Sequence, residues 1–161
     1  MTDTAPVISI APAAGPEDLA AAKQLFIAYA QSLDFSLCFQ GFDKELEALP
    51  GKYAPEKSGA LLLAKVDGQP MGVVALRDLG DGICEMKRLF VDPRARGLKL
   101  GRKLAEAILA EGRRLGYRAM RLDTLQRMAE ANRLYDSLGF RDIPPYIHNP
   151  LPDVRYREVD L

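Results

Sequence analysis

The sequence predicts an α/β chain of the α+β kind, a mixed, mostly antiparallel sheet with helices on both faces. Three observations carry this. Between Ala60 and Val91, three apolar strand-like segments are separated by short turns of glycine and aspartate. Further on, two stretches of helical period each end at a glycine and lead into a strand. Ahead of all these, one short strand precedes two helical segments. The 161 residues suit one domain, 1–161, and no repeat, low-complexity tract or linker divides them.

Val7 to Ile10 reads as the first strand, and Ala11-Pro12-Ala13-Ala14-Gly15 as the run that breaks it. Pro16 suits the first turn of a helix, where a missing N–H removes no bond. Leu19, Ala22, Phe26, Tyr29 and Leu33 recur at spacings of three and four, so this helix ends near Leu33. A shorter helix is expected from Asp43 to Leu49, stopped by Pro50-Gly51. Ala60 to Val66 is a strand, Asp67-Gly68 a hairpin turn, and Pro70 to Leu79 the returning strand. Gly80-Asp81-Gly82 turns the chain again into a third strand, Ile83 to Val91, completing an antiparallel meander. Leu100, Leu104, Ile108 and Leu115 share one face of a helix from Leu100 to Leu115, and Gly116 stops it. Ala119 to Thr124 is a strand, Met128 to Leu138 a helix ended by Gly139, and Phe140 opens another strand. Tyr156 to Leu161 is the last strand, reached through the proline-rich loop PPYIHNPLP.

Composition excludes several classes of function. The 22 Lys and Arg balance 22 Asp and Glu, so the whole chain is no general polyanion binder and no nucleic-acid partner is expected. The longest strongly apolar run, Ala60 to Ala64, is far too short to cross a bilayer, and MTDTAPV has no signal-peptide pattern. A cytoplasmic protein without a membrane partner is the default. Cys38 and Cys84 lack the spacing of a zinc or redox motif and read as reduced core or near-core thiols. With one histidine, His148, neither a His/Cys metal site nor a serine triad is supported, and no metal is expected.

The charges are unevenly placed. Nine basic residues and two acids lie between Arg94 and Arg121, and glycines are set among the first of them. In Leu89-Phe90-Val91-Asp92-Pro93-Arg94-Ala95-Arg96-Gly97-Leu98-Lys99-Leu100-Gly101-Arg102, a strand ends, a basic loop follows and a helix begins. Backbone N–H groups at a helix start are unpaired and carry positive partial charge, which suits a pyrophosphate. Gly97 and Gly101 allow close approach, and Arg94, Arg96 and Arg102 add charge-assisted contacts. Glu85 and Lys87 alternate on the third strand of the meander and share a face, from which Glu85 is a candidate general base.

On these residues the chain resembles the GNAT superfamily of N-acetyltransferases. Arg94-Ala95-Arg96-Gly97-Leu98-Lys99, after Val91-Asp92-Pro93, is similar to the family signature (Arg/Gln)-x-x-Gly-x-(Gly/Ala). Lys99 stands where a small residue is usual, which a lysine tolerates if its backbone stays helical. Leu134-Tyr135-Asp136-Ser137-Leu138-Gly139-Phe140 is similar to the family's LYxxxGF helix ending. The resemblance implies that acetyl-CoA is the cosubstrate and that an amine, not identified by the sequence, accepts the acetyl group by direct attack. It implies that Tyr135 protonates the departing thiolate and that the fourth and fifth strands splay to admit the pantetheine arm. Main-chain groups of Leu89, Phe90 and Val91 would pair with that arm, and an N–H there would face the acetyl oxygen. Leu98 and Lys99 belong to the implied phosphate loop. The asparagine common seven residues before the tyrosine is replaced by Met128, and Asn132 is the nearby polar residue for the cofactor. Asp34, Phe35 and Phe39 fall where acceptor pockets of the family form. A homodimer is compatible with the resemblance. The two departures, Lys99 and Met128, leave open an alternative: a non-catalytic acyl-CoA sensor or interaction module on the same fold.

Overall fold

In the computed structural model, which describes residues 4–38 and 41–161, seven strands form one sheet in the order β1-β2-β3-β4-β5-β7-β6. The strands are β1 (Ile8–Pro12), β2 (Ala60–Val66), β3 (Gln69–Gly80), β4 (Ile83–Val91), β5 (Ala119–Leu125), β6 (Arg141–Ile143) and β7 (Val154–Asp160). The helices are α1 (Gly15–Ser32), α2 (Phe42–Ala48), α3 (Leu100–Arg114) and α4 (Ala129–Ser137). Every neighbouring pair is antiparallel except β4 and β5.

The sheet is covered on both sides, which explains why its central strands read as unbroken apolar runs. Leu61, Leu63, Val73 and Ala75 point to the α1 and α2 side, where they meet Phe26, Leu37, Phe42 and Tyr53. Leu62, Val74, Leu76, Cys84 and Met86 point the other way, onto Leu104, Ile108 and Tyr135 of α3 and α4. The Asp67-Gly68 turn has φ of 50° and 82°, the left-handed pair that a two-residue hairpin requires.

Three expectations change. The first strand does not end at Ile10 but runs on to Pro12, which pairs with Leu62. The strand lies at the edge of the sheet, where a proline's missing N–H can face away from the ladder. The last strand starts at Val154 rather than Tyr156, because β5 offers it partners along seven residues. Cys38 is exposed, not core, while Cys84 is buried and its thiol is pushed up to about 12 by that burial.

One irregularity shapes the centre. Val73 pairs with Phe90 and Ala75 with Lys87, so β4 spends three residues where β3 spends two. The extra residue is a β-bulge with Arg88 at φ 61°, a conformation that costs a side-chain-bearing residue roughly 1–2 kcal/mol. Its guanidinium donates to both oxygens of Glu45 on α2, at 2.8 and 3.1 Å, and lies 5.2 Å from the Phe42 ring centre. Lys52 adds a 3.2 Å ion pair to Glu45. Burial alone would raise the Glu45 carboxyl, but hydrogen bonding and charge from Arg88 and Lys52 outweigh it and hold it below its ordinary value. A lowered carboxyl contributes stability above the unfolded pKa and loses it as pH falls through the folded one. Glu45→Gln should therefore lower unfolding stability at neutral pH by about 3 kcal/mol. Urea titrations at several pH values should show wild type losing its advantage over the variant below about pH 4.5, the ordinary range of the group. An unchanged difference at low pH would contradict the assignment.

Candidate active site

β4 and β5 pair in parallel only at Ile83–Ala119, Cys84–Met120 and Glu85–Arg121. Beyond Glu85 each strand follows its other neighbour, β3 or β7, and a gap opens between them. The gap holds a cavity of about 70 Å³ walled by Met86 to Leu89, Leu122 to Leu125, Tyr29, Phe35, Leu37, Asn149 and Leu151. On the α3 side lies a larger cleft, about 690 Å³, bounded by Val91, Arg96, Gly97, Lys99, Gly101, Arg102 and Leu134. Leu89 and Tyr135 line both, so they stand where the two spaces meet.

The loop from β4 into α3 fits a phosphate group. The first bond of α3 runs from Lys103 N–H to Lys99 C=O at 3.1 Å, so Leu100, Gly101 and Arg102 have N–H groups with no acceptor inside the helix. A Cβ built on Gly97 would meet nothing within 4 Å, and one on Gly101 only Val91 Cγ2 at 3.8 Å. Those open sides would admit phosphate oxygens beside Arg96 and Lys99, which both border the cleft. Arg102 is divided between Glu106 at 3.3 Å and the Ser137 hydroxyl at 2.7 Å.

Three expected cofactor side chains, those of Arg94, Leu98 and Asn132, lie elsewhere, and Phe90, expected to act through its main chain, turns its ring away. Arg94 is exposed and outside the cleft; its guanidinium grips Asp92 at 2.9–3.2 Å, and those bonds hold the Asp92 carboxyl below its usual range. Leu98 packs against the core, and the Phe90 side chain faces Tyr29, their ring centres 6.0 Å apart. Asn132 is buried, and its amide donates to the carbonyls of Leu125 and Met128, both at 2.9 Å, joining β5 to α4 instead of reaching the cleft. Met128 takes a place in the wall of the small cavity.

Lys99 is also corrected. Its backbone is not helical but left-handed, φ 56° and ψ 34°, at the N-cap of α3. Slid by two residues, the signature runs Arg96-Gly97-Leu98-Lys99-Leu100-Gly101, and the left-handed place is then the one that calls for glycine. The lysine stands in a glycine's conformation.

Tyr135 is, with Leu89, one of the two residues the clefts share. It is 8% exposed, its ring packs on Phe140 at 5.6 Å, and its hydroxyl bonds no described residue. Burial, then the nearby Tyr29 and Asp123, push this hydroxyl far above its ordinary value, so it stays protonated. Glu85 does not face the acceptor space as expected. It is fully buried and lines neither cavity; Oε1 receives Arg77 at 2.7 Å and Oε2 the Tyr146 hydroxyl at 2.6 Å. Its work is to hold the proline-rich loop that brings Asn149 and Leu151 to the cavity. His148 on that loop is exposed and lines neither space. Of the expected acceptor segment, Phe35 lines the small cavity. Asp34 does not line it and pairs with Arg127 at 2.9 Å, and Phe39 lies outside the described residues.

Lys87, on the face expected to look into the substrate site, lines the cavity, whereas the sequence reading missed Asp123. Lys87 is buried, 3.9 Å from Glu85, and Asp123 accepts a 3.0 Å hydrogen bond from Asn149. The available signal was charge inside a strand: β5 reads Ala-Met-Arg-Leu-Asp-Thr-Leu, and Asp123 sits there past the last pairing with β4.

Comparison with known proteins adds an independent line. The profile of the acetyltransferase (GNAT) family matches residues 26–140. An uncharacterized N-acetyltransferase of Schizosaccharomyces pombe is 42% identical over 96% of this chain and 95% of its own. A crystal structure of an acetyltransferase from Streptococcus agalactiae superposes with a TM-score of 0.76, 25% identity and coverage of 96% of this chain and 98% of that one. An acetyltransferase of Salmonella typhimurium, solved with its cofactor acetyl-CoA, has a TM-score of 0.74 and 21% identity, covering 95% of this chain and 93% of its own. Among the described residues, no helix is long and apolar enough to cross a membrane.

The loop geometry makes two checkable statements. Lys99→Gly should stabilise the fold by about 0.5–1 kcal/mol, left-handed relief less glycine's larger chain entropy, visible as a rise of roughly 1–4 °C in midpoint. A fall would mean that the lysine side chain supports the loop. Gly97→Glu should keep the fold but lose the thermal shift given by CoA, since a carboxylate would enter the space left for phosphate.

Proposed function

The chain belongs to the GNAT acetyltransferase family, and we propose that it moves the acetyl group of acetyl-CoA to a primary amine of a small molecule or protein by direct attack, with Tyr135 as the acid. The observation that carries this reading is Tyr135 at the meeting point of the basic cleft and the gap between β4 and β5. Acetyl-CoA, when bound, supplies an activated thioester. Arg96, Lys99, Arg102 and the open N–H groups at the start of α3 are the groups suited to its phosphates. Past Glu85, the side of β4 that faces β5 is released from pairing, and its main chain between Leu89 and Val91 is suited to an extended amide-bearing arm. The buried hydroxyl of Tyr135, kept protonated, can donate to a sulfur as it leaves.

Neither cysteine offers a competing covalent route. Cys84 is buried with a raised thiol, and Cys38 is exposed and lines neither of the two spaces that Tyr135 borders. The reading also sets the protein in the cytoplasm, acting without a metal and on neither nucleic acid nor membrane. A homodimer is compatible with it.

Tyr135→Phe keeps the ring that packs on Phe140 and removes only the hydroxyl. Turnover should fall by about 10²-fold or more while acetyl-CoA affinity stays nearly constant. Release of free CoA thiol with a set of amines measures the first, and thermal shift with CoA the second. Full turnover by the variant on a good acceptor would return Tyr135 to the role of a core aromatic.

A further inference from the structure

The gap between β4 and β5 contains a carboxylate that the acetyl-transfer reading has not used. Asp123 is the acid among the residues lining the small cavity; Glu85 and Glu45 lie outside it, each with both oxygens engaged by neighbours. It is half-buried, on β5 just past the last residue paired with β4, and it faces Tyr156 across the β5–β7 ladder. Its Oδ2 accepts from Asn149 Nδ2 at 3.0 Å. Oδ1 accepts nothing from a described residue. Asn149 is itself fixed, its Oδ1 receiving the Leu151 N–H at 3.1 Å, so one carboxylate oxygen is anchored and the other left to the cavity.

The geometry points to Asp123 as the catalytic residue that holds the acceptor's amine and takes its proton. This rests on the acetyl-transfer reading above and adds the partner that Tyr135 needs, since the cavity places a carboxylate and a protonated phenol on the walls of one space. In the reaction, the amine nitrogen forms a bond to the acyl carbon while the carbon–sulfur bond breaks. The proton lost from nitrogen goes to Asp123 Oδ1, and the sulfur leaves with its bonding pair and receives a proton from Tyr135. Solvent then returns the two residues to their starting states, Asp123 ionised and Tyr135 protonated.

Charged and phenolic groups surround Asp123. Lys87 and Arg88 of β4 line the same cavity; burial works against the Lys87 ammonium, and the charges of Glu85 and then Asp123 favour it. Tyr29 from α1, Tyr135 from α4, Tyr146 from the proline-rich loop and Tyr156 from β7 are each raised, first by burial and in part by Asp123. A carboxylate there keeps phenols protonated, which is the state an acid requires, and it attracts an ammonium-type ligand into a space walled elsewhere by Leu37, Leu122 and Leu151.

The test compares wild type with Asp123→Asn on a panel of ethanolamine, spermidine, L-aspartate, L-lysine and tryptamine, using the fastest of them for pH profiles. The variant should keep the thermal shift given by CoA and lose about 10²-fold or more in kcat/KM. The loss should be largest at low pH, where the acceptor arrives protonated and must shed a proton, and should shrink at high pH, where free amine is plentiful. If Asp123→Asn fails to keep the CoA shift, Asp123→Ser, smaller than the native side chain, takes its place with the same criteria. Wild-type-like kcat/KM, or a loss of the same factor at every pH, would overturn the assignment and leave acetyl transfer standing. A wild type that releases no thiol with any of these amines, or with a mixture of peptides carrying free N-terminal and lysine amines, would instead remove both readings.

Discussion

Three residue pairs join the two halves of the sheet. Ile83, Cys84 and Glu85 meet Ala119, Met120 and Arg121, and after them β4 and β5 part. The parting follows from what each strand is bound to on its far side. β5 stays in register with β7 from Ala119 to Leu125. β4 stays with β3, but the bulge at Arg88 adds a residue and with it an extra local twist. Were the bulge absent, β4 could continue along β5 and close the space between Leu89 and Tyr135. The left-handed Arg88 makes two bonds to Glu45, so a buried ion pair ties the bulge of β4 to α2.

Charge is distributed around this opening in a way that separates tasks. Glu85 and Glu45 look like acids near a catalytic centre, yet both are saturated by Arg77, Tyr146, Arg88 and Lys52 and serve to hold a loop and a helix. Burying those carboxylates without partners would cost several kcal/mol each. Asp123 lines the cavity with one oxygen anchored by Asn149 and the other without a described partner. The basic loop before α3 stands outside the gap, so the positive charge suited to phosphates is kept apart from the place suited to an ammonium.

Much of the fold was legible because its signals are local. The Asp67-Gly68 turn, the stripe of Leu100, Leu104 and Ile108, and the glycine stops each depend on a few neighbouring residues, and they stand where their spacing put them. Tyr135 and the Gly97–Arg102 loop were legible for the same reason. What escaped depends on partners far along the chain. The enclosure of Glu85 requires Tyr146, 61 residues away, and Arg88 requires Glu45, 43 away. Pro12 could enter a strand only because β1 is an edge. Lys99 was misjudged because a helix start was taken to imply helical backbone, whereas the residue that caps α3 turns left-handed. Asp123 was overlooked because a lone acid in a short strand reads as a surface residue until the missing neighbour strand is known.

The central claim is that the released side of β4 and the start of α3 form one surface for acetyl-CoA, in the gap that begins after Glu85. Amide hydrogen exchange with and without CoA tests it directly. Leu89 to Val91 and Leu100 to Arg102 should exchange more slowly in the complex, while β2, β6 and the far ends of β3 and β7 keep their rates. Protection confined to another edge of the sheet, with those two segments unchanged, would contradict the account.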